Sequence, residues 1–158
     1  IYRRTNSNIS AFWSVAERMI QAMILKRPME WKNLRVDGCS IILPSGRALQ
    51  YPGIRCDDDT QLYVYGLDPE HPKYIYGGLL TENIIQATSH DIVAWQGEQL
   101  DPDYRLVMQT YDELVACVPE EQADECLATM HEVMTTPPPF DPNIPLAAEG
   151  GYAREYSK

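Results

Sequence analysis

Apolar residues recur at three- and four-residue steps near the start of the chain: Ile9, Phe12, Trp13, Ala16, Met19, Ile20, Met23 and Ile24. That spacing puts them on one face of a helix, and such a stripe reads as core. Ser7 or Asn8 suits the N-cap, while Lys26, Arg27 and then Pro28 suit the C-terminal end. A second helix is expected from near Leu80, after the Gly77-Gly78 break. Its Leu80, Ile84, Thr88, Ile92 and Trp95 are spaced four, four, four and three apart, with Ile85 broadening the face. Gln86 and Ser89 lie elsewhere on its circumference. Gly97 and the Asp101-Pro102-Asp103 turn are expected to close it. A third helix opens at Pro119-Glu120-Glu121, where acids suit the helix dipole, and Pro137-Pro138-Pro139 stops it. Its apolar face is Ala123, Cys126, Leu127, Met130, Val133 and Met134.

Between the helices the pattern turns to β. Residues 40–43 and 47–51 read as two strands around the Pro44-Ser45-Gly46 turn, and 61–65 as one more short strand. Residues 105–110 and 114–118 are β-compatible runs joined only by Tyr111, Asp112 and Glu113, which reads as a hairpin. The tail from Ile144 to Tyr152 looks extended. Hairpins outnumber βαβ crossovers, so the expected class is α+β, with helices packed on one face of a mainly antiparallel sheet.

The chain has 158 residues, 44% of them hydrophobic, which suits one globular domain and excludes a disordered or collagen-like chain. No apolar run approaches the roughly 18 residues a membrane helix needs. Charge is uneven. Residues 1–55 hold nine bases against three acids, a net +6, and residues 56–158 hold four against twenty, a net −16. An overall charge of −10 argues against the isolated chain gripping a phosphate backbone. Cys39, Cys56, Cys117 and Cys126 form no CxxC pair. With His71, His90 and His131 they are read as structural or incidental, in a reducing compartment. The acidic run Asp57-Asp58-Asp59 reads as a solvated turn.

Asp112 and Glu113 are the pair with chemical promise. Two carboxylates at a tight turn between apolar strands are presented together on a rigid support, and Mg²⁺ takes one or two carboxylates plus waters and substrate phosphates. Acids at hairpin tips are also commonly just solvated, so the pattern alone leaves both readings open.

A resemblance bears on the choice. The run from Tyr76 to Ile92 (YGGLLTENIIQATSHDI), followed by Val107 to Val115 (VMQTYDELV), resembles the C-terminal part of family A (DNA polymerase I type) DNA polymerases. Further matches are Tyr2-Arg3, Asn8-Ile9 and Trp13, then Leu43 to Arg47 (LPSGR), and Pro145 to Gly150 (PLAAEG). The spelling is most similar to the bacteriophage branch.

The resemblance implies a partial polymerase palm. Residues 1–35 would be a helix from the end of the fingers, and 36–158 the C-terminal half of the palm with the 105–118 hairpin. It assigns Asp112 as catalytic and as a Mg²⁺ ligand in a two-metal site completed by an Asp outside this chain, with Glu113 supporting. It assigns Gln86 and Tyr111 to DNA binding, although Tyr111 stands where the family usually has His. Gly78 and Glu82 occupy positions where cellular relatives have DNA-contacting Arg and Asn. The implied partners are primer-template DNA and deoxynucleoside triphosphates, in the cytoplasm of a bacterial host, with no membrane.

The chain opens at Ile1 rather than Met and is expected to be a piece of a longer protein, inactive alone and prone to self-association. Arg47 is open to reading as a phosphate contact, against the commoner role of pairing with a carboxylate or facing solvent. Asp91, Trp13 and Trp95 are read as structural. The rival reading is a non-catalytic acidic palm-like module that binds a basic protein partner, and Tyr111 and the missing positive charge favour it.

Overall fold

The computed structural model describes residues 5–156 except 101 and 103. Tyr2 and Arg3, and the Asp101 and Asp103 of the expected helix-closing turn, lie outside the described residues. The chain divides into two compact units, residues 1–88 and 89–158.

The first unit is built around helix α1 (Ser7–Ile24). Its stripe is buried as the spacing requires: Ala16, Met19, Ile20 and Met23 are sealed from solvent, joined by Val15 and Ala22. Ile9, at the outer end, is exposed instead. Neither Ser7 nor Asn8 caps the helix. Asn6 holds that position, without a side-chain capping bond to the helix. At the other end Arg27 N–H bonds the Ala22 carbonyl (2.9 Å) and Lys26 N–H bonds that of Met23 (3.2 Å). That is a Schellman closure, with Lys26 itself in the left-handed region at φ 51°.

Four strands follow as an antiparallel meander: β1 (Met29–Trp31), β2 (Leu34–Asp37), β3 (Ser40–Ile42) and β4 (Ala48–Gln50). The β3–β4 hairpin around Pro44-Ser45-Gly46 is the one expected, whereas β1 and β2 were not. Leu34, Val36 and Ile41 turn inward under α1, and Phe12 stacks on Trp31 at 4.8 Å. A second meander contains β5 (Arg55–Cys56), β6 (Tyr63–Tyr65) and β7 (Lys73–Tyr74).

Helix α2 runs from Gly77 to Gln99. The Gly77-Gly78 pair is its first turn, not a break before it. A Cβ on Gly77 would collide with the Trp13 carbonyl, so glycine permits α1 and the start of α2 to meet. Leu80 and Ile84 complete the first unit's core. Ile85 is 56% exposed and does not broaden the buried face.

In the second unit α2 continues through Gly97, which does not end it. A Cβ there would make ordinary contact with Leu106 (3.5 Å) and Leu114 (3.8 Å), so packing does not demand the glycine. Strands β8 (Arg105–Thr110) and β9 (Glu113–Cys117) pair as the expected hairpin, with an irregularity between Leu106 and Met108. A 3₁₀ turn at Glu120–Gln122 leads into α3 (Ala123–Thr135). Val93, Leu100 and Leu114 form the core, with Met130, Val133 and Met134 against it. Gln96 is also buried, and its Nε2 donates to the Met134 carbonyl at 2.9 Å.

The class is α+β and every described strand pair is antiparallel. The strands form three small ladders where a single sheet was expected. Among the described residues no helix is long and apolar enough to cross a membrane.

Candidate active site on the β8–β9 hairpin

Thr110 pairs with Glu113, so the hairpin turns on only Tyr111 and Asp112. A two-residue connection between right-twisted strands needs left-handed backbone, and Tyr111 supplies it at φ 54°. That conformation costs a residue with a Cβ roughly 1–2 kcal/mol, and Gly or Asn ordinarily takes it. The Tyr111 ring is 87% exposed, so no burial offsets the cost.

Asp112 follows at the tip. It is exposed, and its carboxylate enters no hydrogen bond or ion pair with a described residue. Glu113 opens β9 and is half-buried, and its Oε2 accepts the phenolic O–H of Tyr156 at 2.9 Å. Among the described residues no three His, Cys, Asp or Glu side chains converge to hold a metal ion. The donor chemistry suits part of a Mg²⁺ site: a hard, unengaged carboxylate with an oriented carboxylate beside it, the remaining positions falling to water, phosphate or another chain segment.

Gln86 lies in the first unit, exposed on α2, where its Nε2 donates to Glu82 Oε1 at 3.2 Å. Near the start of the same helix, Ser10, Trp13, Arg18, Tyr76, Gly78 and Glu82 are among the residues lining an open cleft of about 770 Å³. Arg47 is no free phosphate ligand, because its Nη2 donates to the Ala87 carbonyl at 2.8 Å. Trp13 and Trp95 are half-buried, and the Asp91 side chain is 10% exposed. The Asp57 carboxylate closes its own turn by accepting from Thr60 N–H (2.9 Å) and Oγ1 (2.7 Å). Those bonds hold it below the usual carboxylate range and leave it poorly placed for a metal. Cys126 is buried, which pushes its thiol up, while Cys117 is exposed.

Two contacts escaped sequence reasoning. Glu17 Oε2 accepts the Gly77 N–H at 2.8 Å, and Tyr156 meets Glu113 across 43 residues. Neither has a local signal, since each joins residues more than forty positions apart.

Compared with known proteins, the chain is 31% identical to the DNA polymerase of Bacillus phage SP02 in a 172-residue alignment covering 99% of the chain. The chain resembles part of a DNA polymerase I type (family A) DNA polymerase. It spans about a quarter (26%) of that phage polymerase. A second relative is the thermostable DNA polymerase I of Thermus filiformis, 35% identical over 77 residues, or 46% of the chain and 9% of that enzyme. No family model and no solved structure matches. The polymerase resemblance read from the sequence is therefore borne out, and along nearly the whole chain.

Proposed function

We propose that this chain is part of a template-directed DNA polymerase, with the β8–β9 hairpin as one half of its metal-binding centre. Whole-chain similarity to a phage DNA polymerase carries the reading. The free carboxylate of Asp112 at a rigid two-residue turn supports it. In the complete enzyme a primer 3′-OH attacks the α-phosphate of an incoming deoxynucleoside triphosphate and pyrophosphate leaves.

Mg²⁺, when bound, supplies charge stabilisation on the attacking and leaving oxygens. Asp112 would hold it, together with an Asp from outside this chain. Glu113 stands beside that carboxylate and fixes the local negative charge. Gln86 faces the primer-template, and its exposed link to Glu82 is weak enough to exchange for a base edge or sugar. Tyr111 presents its ring to the primer end, which gives its strained backbone a purpose. Residues 1–35 would correspond to a helix from the end of the fingers and residues 36–158 to the C-terminal half of a palm, working in the cytoplasm of a bacterial host.

A chain that supplies half of a metal site and no nucleotide clamp has no activity of its own. Primer extension with Mg²⁺ and a primed template should therefore show nothing above background for the 158-residue chain, and clear extension for the longer polypeptide containing it. Extension by the chain alone would refute the half-site. A longer polypeptide that binds partners but never extends a primer would favour the acidic binding module instead.

A further inference from the structure

The tail returns to the hairpin by a regular device. Tyr152, Arg154 and Tyr156 occupy alternate positions in a tail that bends at Arg154 and Glu155. Each reaches an acid. Tyr152 donates its O–H to Asp124 Oδ1 at 2.8 Å, Arg154 Nη2 lies 3.2 and 3.1 Å from the two carboxylate oxygens of Glu120, and Tyr156 donates to Glu113 Oε2 at 2.9 Å. The acids are met in descending order, 124, 120 and 113. The tail therefore runs back from the start of α3, past the 3₁₀ turn, to the first residue of β9. Asp124 holds the Tyr152 phenol above its usual range, so this hydroxyl stays a donor at neutral pH.

We infer that this tail is a strap whose final contact makes Tyr156 a positioning residue for Glu113 beside the Asp112 metal ligand. The inference rests on the polymerase reading above. Arg154 and Glu120 are both highly exposed, and an ion pair of that kind holds little on its own. Three links in register restrict the tail far more than one does, because the first two remove most of the entropy cost of seating the third. The Tyr156 bond fixes one Glu113 oxygen. That confines the carboxylate to a narrow range of orientations next to Asp112. Partners that orient groups around a metal typically change metal affinity or activity by roughly 10–100-fold when removed, and the exposure of this contact places it at the lower end.

The test uses the full-length polymerase that contains this sequence. Tyr156→Phe removes only the hydroxyl. The strap predicts that it lowers kcat about tenfold and raises the half-saturating Mg²⁺ concentration, with Kd for primer-template unchanged. In the protein without nucleotide, Mn²⁺ binding followed by electron paramagnetic resonance weakens in parallel. Arg154→Ala produces a smaller shift in the same direction. A purely structural tail would not move the Mg²⁺ dependence in a variant with unchanged DNA affinity. Asp112→Asn is measured alongside. If it is inactive while Tyr156→Phe matches wild type in kcat, Mg²⁺ dependence and Mn²⁺ binding, the strap is overturned and the polymerase reading stands. If Asp112→Asn retains full activity, the polymerase site itself is overturned, and the strap with it.

Discussion

The carboxylate of Glu17, midway along α1, accepts the backbone N–H of Gly77 at 2.8 Å and so satisfies the first turn of α2. The bond places a negative charge at the positive end of a 23-residue helix. It depends on the close approach that only glycine at position 77 allows. Gly77→Ala should therefore destabilise the first unit by about 1–3 kcal/mol, the range for forcing extra volume into a packed contact. Glu17→Gln keeps an acceptor and loses the charge, and should cost about 0.3–1 kcal/mol. Urea unfolding of both variants checks the ranking. A Gly77→Ala midpoint equal to wild type would mean that the two helices do not meet as described.

Tyr111 offers a trade between stability and function. Asn tolerates its left-handed backbone, so Tyr111→Asn should stabilise the hairpin by about 0.5–1 kcal/mol. If the exposed ring serves the primer terminus, extension by the complete polymerase should fall in the same variant. Thermal unfolding and primer extension, measured together, read both effects. A stabilised variant of full activity would leave the tyrosine without a role at the primer.

Alkaline stability should be governed in part by Tyr51. Burial pushes its phenol above the usual 10.0, the Asn83 amide that donates to it pulls less strongly the other way, and Tyr65 adds to the rise. The unfolded chain then releases this proton before the folded chain does. The contribution is complete below pH 10.0 and is lost as pH climbs through the higher folded value. Tyr51→Phe should flatten the fall in stability above pH 10.0, seen as a shallower loss of denaturation midpoint. An unchanged slope would place the phenol in solvent.

The parts of the fold legible from sequence were those with a local cause. Pro44 and Gly46 announced the β3–β4 turn, and the three-and-four spacing announced α1 and α3. The β8–β9 hairpin was visible because only three residues separate two β-compatible runs. The β1–β2 hairpin was hidden although Leu34 and Val36 alternate properly, because Lys32 adopts the left-handed turn position (φ 52°) where Gly or Asn would have signalled it. Strands β5 and β7 have two residues each, too few for any period to show. Gly77, Gly78 and Gly97 misled because each lies inside α2. Glycine inside a helix reads as a break, yet Gly77 lies where the helix meets α1 closely, a requirement that comes from tertiary packing, and at Gly97 the helix simply continues.

Asp112 and Glu113 were visible as a pair, but the difference between them was not. One carboxylate is unengaged and the other is held by a tyrosine 43 residues later in the chain, a contact that only the folded tail creates.

The most direct measurement is primer extension by the complete polymerase with Mg²⁺, comparing wild type with Asp112→Asn. The substitution is nearly isosteric at an exposed turn, so folding and DNA binding should survive it. The account predicts a loss of several orders of magnitude in rate, with primer-template affinity retained. Equal rates would contradict it and leave Asp112 as a solvated turn residue.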